Sequence, residues 1–370
     1  MFSIRKNVLK MRPYSPGKPI DEVKRELGLS EVVKLASNEN PYGPSPKALQ
    51  AMQEALPHLN LYPDASQFDL KAAISRKFDI PSEHLIVSNG SDQIIHWLGE
   101  IFLGSPIDEV VTSTPSFQKY DGTALLADCV LKTIPLDAEH RHDIGGLINA
   151  ITENTKLVFI ANPNNPTGTI MKRQELDALI GRLPKGAAVV LDEAYHEFAD
   201  FDADYPNGLD YVKAGMPVIT LRTFSKAYGL AGIRLGYAFA PTEMVEALNR
   251  IREPFIVNNL ALVGGIAALS DDEHLKRTVQ GNAAERARLT EFLKEQGLQV
   301  IPSHANFVMV DLGQPSQPVF DALLREGYVT RPGTVLGMPN FMRISVGTAD
   351  EMTGFFQAFA RVLEQTKVHA

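Results

Sequence analysis

The chain has 370 residues, 44% of them hydrophobic and 22% charged, enough for a substantial core divided into a large and a smaller domain. Its formal charge of −8, from 36 basic and 44 acidic residues, argues against a nucleic-acid or membrane-surface partner and leaves only short-range anion pockets open. A single cysteine, Cys129, cannot form an intrachain disulfide, which fits a reducing, cytoplasmic compartment.

In chain order, the N-terminal stretch MFSIRKNVLKMRPY has no apolar run of signal-peptide length. Residues 1–45 are rich in Pro, Gly and Asn, notably in NENPYGPSP, and read as an extended arm. From about Pro46 onward, short apolar runs alternate with helix-like segments, the pattern of an α/β fold with a parallel sheet. The strand candidates are HLIVS, EVVTS, KLVFIAN, AAVVLDE, PVITLR and GYAFA; several are built on a continuous apolar run, as strands covered on both faces are. His140-Arg141-His142, with an arginine in the middle and no cysteine nearby, reads as a solvated loop rather than a metal site. The uncharged stretch 254–270 contains Asn258, Asn259 and a glycine pair and reads as a buried helix. Beyond it AAERARLTEFLKEQGL, NFVMVDL, PVFDALLREGY and FMRISVGT alternate helix and strand, an α+β tail. The expected division is arm 1–45, large domain 46–260 and small domain 261–370.

Ligands of open parallel sheets gather at the carboxyl ends of the strands, and there the unusual polar residues fall. VFIAN runs into Asn162-Pro163-Asn164-Asn165-Pro166-Thr167-Gly168, AVVLD ends in Asp192-Glu193-Ala194-Tyr195, and VITLR ends in Thr223-Phe224-Ser225-Lys226. Each interval is about one βαβ unit of roughly 30 residues, so three strand ends converge on one site. Such a site suits pyridoxal phosphate. Lys226 would form the Schiff base, Asp192 would hold the ring nitrogen protonated, and Asn165 and Tyr195 would hydrogen-bond the phenolic oxygen. SNGSDQ offers a turn and a helix start whose N–H groups at Gly90, Ser91 and Asp92 face an anion. Thr223, Ser225 and the bidentate guanidinium of Arg234 would complete the phosphate cradle. Taken singly, each has a plain reading: Asp192 as a helix cap, Ser91-Asp92 as capping, Lys226 as a solvated cation. Only the ordered set at this spacing points to the cofactor.

ANPNNPTG, LDEAY and TFSKAYGLAGIRLGY resemble the signatures of the class I/II aminotransferases, the fold-type I pyridoxal-phosphate enzymes, over nearly the whole chain. LASNENPYGPSP, NLYPD, SNGSDQ, TPSFQKY, RPG and MRISVGT are most similar to the histidinol-phosphate aminotransferase branch. The resemblance implies a mostly parallel seven-stranded sheet between helices plus a smaller α+β domain. It assigns Phe117 to stack on the cofactor ring and Tyr62 to reach the phosphate of the other subunit's cofactor, hence a homodimer with shared sites. Arg343 would take the substrate's anionic end, with Arg331, Tyr14 and Asn38 as further substrate-binding residues. The implied reaction moves an amino group between histidinol phosphate and 2-oxoglutarate. The rivals are a phenylalanine/tyrosine aminotransferase, a threonine-phosphate decarboxylase and a non-catalytic regulator on the same fold. The last usually carries a basic DNA-binding domain, for which this chain shows no segment.

Overall fold

The computed structural model describes residues 2–11, 17–199 and 201–367. Its large sheet has seven strands: β1 (Leu85–Ser88), β2 (Glu109–Thr114), β3 (Val130–Pro135), β4 (Thr155–Ala161), β5 (Ala188–Asp192), β6 (Val218–Thr223) and β7 (Gly236–Phe239). The spatial order is β1-β7-β6-β5-β4-β2-β3. Only β7 runs antiparallel to its neighbours. The run GYAFA carries no signal of direction in its own residues. β3 was absent from the strand candidates for a readable reason. It is the sheet edge, its residues are half-buried or exposed, and Lys132 sits in it, bonded to Glu109 at 2.7 Å.

Both sheet faces are covered, which is why β1 and β5 are buried at every position. On one face Ile94, Trp97 and Leu98 pack over Val110 and Phe159. On the other, Leu147, Leu176 and Leu179 pack over Val111 and Val158. Burial of each such side chain contributes roughly 1.5–3 kcal/mol.

The second unit is an antiparallel sheet of β8 (Gln299–Ile301), β9 (Phe307–Asp311), β10 (Arg331–Pro332) and β11 (Phe341–Ser345), in the order β10-β11-β9-β8. Helices Asp272–Glu295, Ser316–Arg325 and Ala349–Lys367 cover it through Leu289, Leu293, Leu323, Phe355 and Phe359. The arm is less extended than its composition implies. Helix Ile20–Leu27 and the pair Val33–Lys34, parallel to Tyr328–Val329, put Val23, Leu35 and Ala36 into this same core. The division expected at residue 260 falls in the first turn of helix Asn259–Leu269. That helix buries Ala261, Leu262, Ala268 and Leu269 with Ala48, Leu70 and Ile74 of the large unit. We therefore place the change of unit after Leu269.

His142 is not in a solvated loop as expected. It is buried, its Nε2 donates to Ala161 O at 2.9 Å and its Nδ1 lies 2.7 Å from Ser113 Oγ. Burial lowers its pKa, so the neutral ring ties the end of β2 to the end of β4. No helix among the described residues is long and apolar enough to cross a membrane.

Candidate active site

The register Ala161↔Asp192 and Asp192↔Leu221 sets the carboxyl ends of β4, β5 and β6 side by side. The loops that leave them line a cavity of about 380 Å³ with Asn165, Asp192, Tyr195, Thr223, Ser225 and Lys226. The start of helix Ser91–Phe102 adds Ser91 and Asp92; Ser37, Asn38, Phe117, Lys119, Tyr120, Arg234 and Arg343 also line it.

At one end the backbone forms an anion cradle. Gly90 caps the helix with φ 84, and an added Cβ would lie 2.7 Å from Arg234 Nη2. A side chain there would be strained and would displace the guanidinium, so only glycine serves. Arg234 also has positive φ, 58, and its Nη1 is 3.5 Å from Ser225 Oγ. The Ser225 N–H donates to Thr223 Oγ1 at 3.0 Å, which holds the β6 turn in place. The helix start, a guanidinium and two hydroxyl residues thus border the same cavity.

At the other side stand a buried acid and a buried amine. Among the described residues, the hydrogen bonds on the Asp192 carboxylate come from neutral donors, Tyr120 Oη at 2.9 Å and Ala194 N–H at 3.2 Å. Burial pushes its carboxyl from 3.8 up to about 6, against the lowering effect of the Tyr120 bond. Lys226 Nζ donates to Ser37 O at 3.1 Å. Burial, reinforced by the Arg343 charge, pushes it from 10.5 down to about 8. A carboxylate without a cationic partner and an amine near neutrality, both facing one cavity, match a cationic ring nitrogen and an aldehyde.

Between them, Asn165 Oδ1 accepts from Arg343 Nη1 at 2.6 Å, which fixes its amide orientation. Tyr195 Oη accepts from Asn38 Nδ2 at 2.9 Å. Arg343 also donates to Ala36 O at 2.6 Å and stacks over Phe307 at 5.3 Å. Phe117 packs edge-on against Tyr120, ring centres 5.6 Å apart. Arg331 lies outside this wall. It is directly opposite Arg343 in the β10–β11 register and lines a smaller adjoining cavity that shares Phe117, Asn165 and Arg343.

Two candidates stand elsewhere. Tyr62 is 82% exposed and stacks on Phe255 at 4.6 Å, away from the cavity wall. Tyr14 lies outside the described residues. The sequence reading missed Ser37, Lys119 and Tyr120. Tyr120, three residues after Phe117 in TPSFQKY, had a helical-spacing signal that could have found it.

The buried acid, the low-pKa amine and the glycine-backed cradle are the donor set pyridoxal phosphate requires. The family model for aminotransferase class I and II matches residues 30–359. The chain belongs to this family. Its members are pyridoxal-phosphate-dependent, and this chain is an aminotransferase with that cofactor. Histidinol-phosphate aminotransferase of Moorella thermoacetica is 44% identical over 97% of this chain and 92% of its own. Histidinol-phosphate aminotransferase 2 of Methylococcus capsulatus is 45% identical over 95% of this chain and 96% of its own. The crystal structure of histidinol-phosphate aminotransferase from Sinorhizobium meliloti, in complex with pyridoxal 5'-phosphate, superposes with TM-score 0.89 at 29% identity over 99% of both chains.

Proposed function

We propose that this aminotransferase exchanges an amino group between L-histidinol phosphate and 2-oxoglutarate, giving imidazole acetol phosphate and glutamate in histidine biosynthesis. The observation that carries the substrate is the pairing of Arg331 with Arg343 across β10–β11. Both are buried beside connected cavities, and two planar forks suit a phosphate or a carboxylate at the far end of a substrate. The relatives named above support the same reading.

When bound, pyridoxal phosphate draws electrons from the substrate α-carbon and carries the amino group between the two half-reactions. Lys226 holds the cofactor and, once released, moves the α-proton at Nζ, for which an amine near pKa 8 is well matched. Asp192 would keep positive charge on the ring nitrogen, and Asn165 and Tyr195 would donate to the ring oxygen. Gly90, Ser91, Asp92, Thr223, Ser225 and Arg234 would hold the phosphate, and Phe117 would cover the ring face. Asn38 lines the substrate side of the cavity.

The working unit in this proposal is a cytoplasmic homodimer in which Tyr62 reaches the partner's cofactor phosphate. Leu59, Leu61, Tyr62, Phe68 and Phe255 are exposed apolar side chains of neighbouring segments, a surface that a second copy would cover.

Steady-state kinetics of the cofactor-loaded protein test the substrate. We expect kcat/KM for histidinol phosphate well above that for phenylalanine, no CO₂ from threonine phosphate, and no turnover by Lys226→Ala. A comparable or higher value for phenylalanine would replace the substrate, and a fully active Lys226→Ala would remove the mechanism.

A further inference from the structure

Tyr195 is held by a hydrogen-bond chain that begins in the other unit, and the direction of every link follows from its first member. The backbone N–H of Asn38 can only donate, and it donates to Ser345 Oγ at 2.9 Å. The Ser345 hydroxyl therefore turns its own proton to Asn38 Oδ1, 2.8 Å away. With Oδ1 occupied there, Asn38 presents Nδ2 to Tyr195 Oη at 2.9 Å. Tyr195 is thus an acceptor toward Asn38, and its O–H proton is directed away from that residue. The reverse setting of the Asn38 amide would crowd two N–H donors onto Ser345 Oγ and leave the serine proton without the acceptor it has here, a costly arrangement at sites 1% and 3% exposed.

The backbone supports the same geometry. Asn38 sits at φ 55, a left-handed conformation that asparagine tolerates better than most side chains. Its carbonyl accepts from Asn306 Nδ2 at 2.9 Å, and Ser345 N–H donates to Leu35 O at 2.9 Å. Ser345 lies two residues beyond Arg343 on β11, on the same strand face. Arg343 in turn donates to Ala36 O. The strand that carries the substrate arginine therefore also clamps the arm segment that aims Tyr195.

We propose that Ser345 and Asn38 form a polarity-setting relay that makes Tyr195 a hydrogen-bond donor toward the cofactor ring oxygen, with Ser345 a positioning residue of the small unit. This assigns Asn38 a role in orienting Tyr195 in addition to lining the substrate side. The inference rests on the cofactor reading above.

The test is a pH titration of the absorbance of the lysine-bound cofactor in the full-length protein, loaded with pyridoxal phosphate. A donor to the anionic ring oxygen disfavours the protonated form, so losing that donor raises the titration midpoint. Tyr195→Phe should raise it by about one pH unit, and Ser345→Ala by about half a unit. Ser345→Thr, which keeps the hydroxyl, should restore the original midpoint. Asn38→Asp accepts rather than donates, turns the Tyr195 proton toward itself, and should also raise the midpoint. The deciding readout is the double-mutant cycle: added to Tyr195→Phe, Ser345→Ala should produce no further shift. An unmoved midpoint in Ser345→Ala and Asn38→Asp, or an equal shift in the Tyr195→Phe background, would overturn the relay. Failure of the unmodified protein to form the chromophore would instead overturn the cofactor reading, a separate outcome.

Discussion

Asp192 and Glu193 are consecutive acids at one strand end, both buried, with opposite surroundings. Glu193 Oε2 accepts from Arg222 Nε at 2.9 Å and Nη2 at 2.8 Å, and its Oε1 accepts from Gly208 N–H at 2.7 Å. Arg222 lies against the Phe78 and Phe239 rings, 5.1 and 5.3 Å from their centres. This acid has its countercharge built into the fold. Among the described residues, Asp192 receives only neutral donors, and it faces the cavity. Adjacent residues of an extended chain point to opposite sides, so one strand end supplies a structural ion pair on one side and an unmatched charge on the other. The unmatched one marks the functional side, because a buried carboxylate without a cation persists only where something else supplies the charge.

The comparison can be broken most strongly at Glu193. Glu193→Gln leaves Arg222 buried without its countercharge and should destabilise the fold by about 3–5 kcal/mol in a denaturant titration. Glu193→Met combined with Arg222→Met should recover most of that loss, since removing both charges removes the desolvation cost too. If the single change costs less than about 1 kcal/mol, the pair is not the structural element described.

Asp192→Asn should do the reverse. In the cofactor-free protein it should leave stability unchanged or raise it by up to about 3 kcal/mol at pH 7, the linkage expected of a shift from 3.8 to about 6. In the loaded protein it should lower kcat by about 10²–10³-fold. The sign can be sharpened with pH. Between pH 3.8 and about 6 the folded protein keeps a proton on Asp192 that the unfolded chain has lost, so this group makes stability fall as pH rises. Lys226 acts oppositely between about 8 and 10.5, where the folded amine has already lost its proton and stability rises with pH. Thermal melts of cofactor-free wild type, Asp192→Asn and Lys226→Met across both windows should show each slope vanish with its group.

The smallest effect concerns the substrate end. Arg331→Lys replaces a planar fork with a point charge and should lower kcat/KM for histidinol phosphate by about 10- to 100-fold, from roughly 1.5–3 kcal/mol of charged hydrogen bonding. The glutamate half-reaction should suffer less, because Arg343 remains.

The two acids also show what a sequence can disclose. Asp192 was legible because it ends the apolar run AVVLD, and Asn165 and Lys226 because they stand in polar loops just beyond the ends of two other apolar strands. That Asp192 faces a cavity while Glu193 finds Arg222 was not, since it depends on the register of β5 against β6. Ser345 and Asn38 are 307 residues apart in the chain, and no local pattern joins them. The role of His142 was hidden because it depends on β2 and β4 lying side by side, and that of Tyr120 because its partner Asp192 is distant in sequence. The edge strand β3 escaped because a half-solvated strand with a lysine lacks the continuous apolar run that revealed the central ones.

One measurement addresses the central claim most directly, because two lysines, Lys226 and Lys119, line the same cavity. The protein loaded with pyridoxal phosphate is reduced with borohydride, digested, and its peptides mapped by mass spectrometry. The expected result is a single reduced cofactor adduct on Lys226, absent from Lys226→Ala. An adduct on Lys119 instead, or no site-specific adduct at all, would contradict the account.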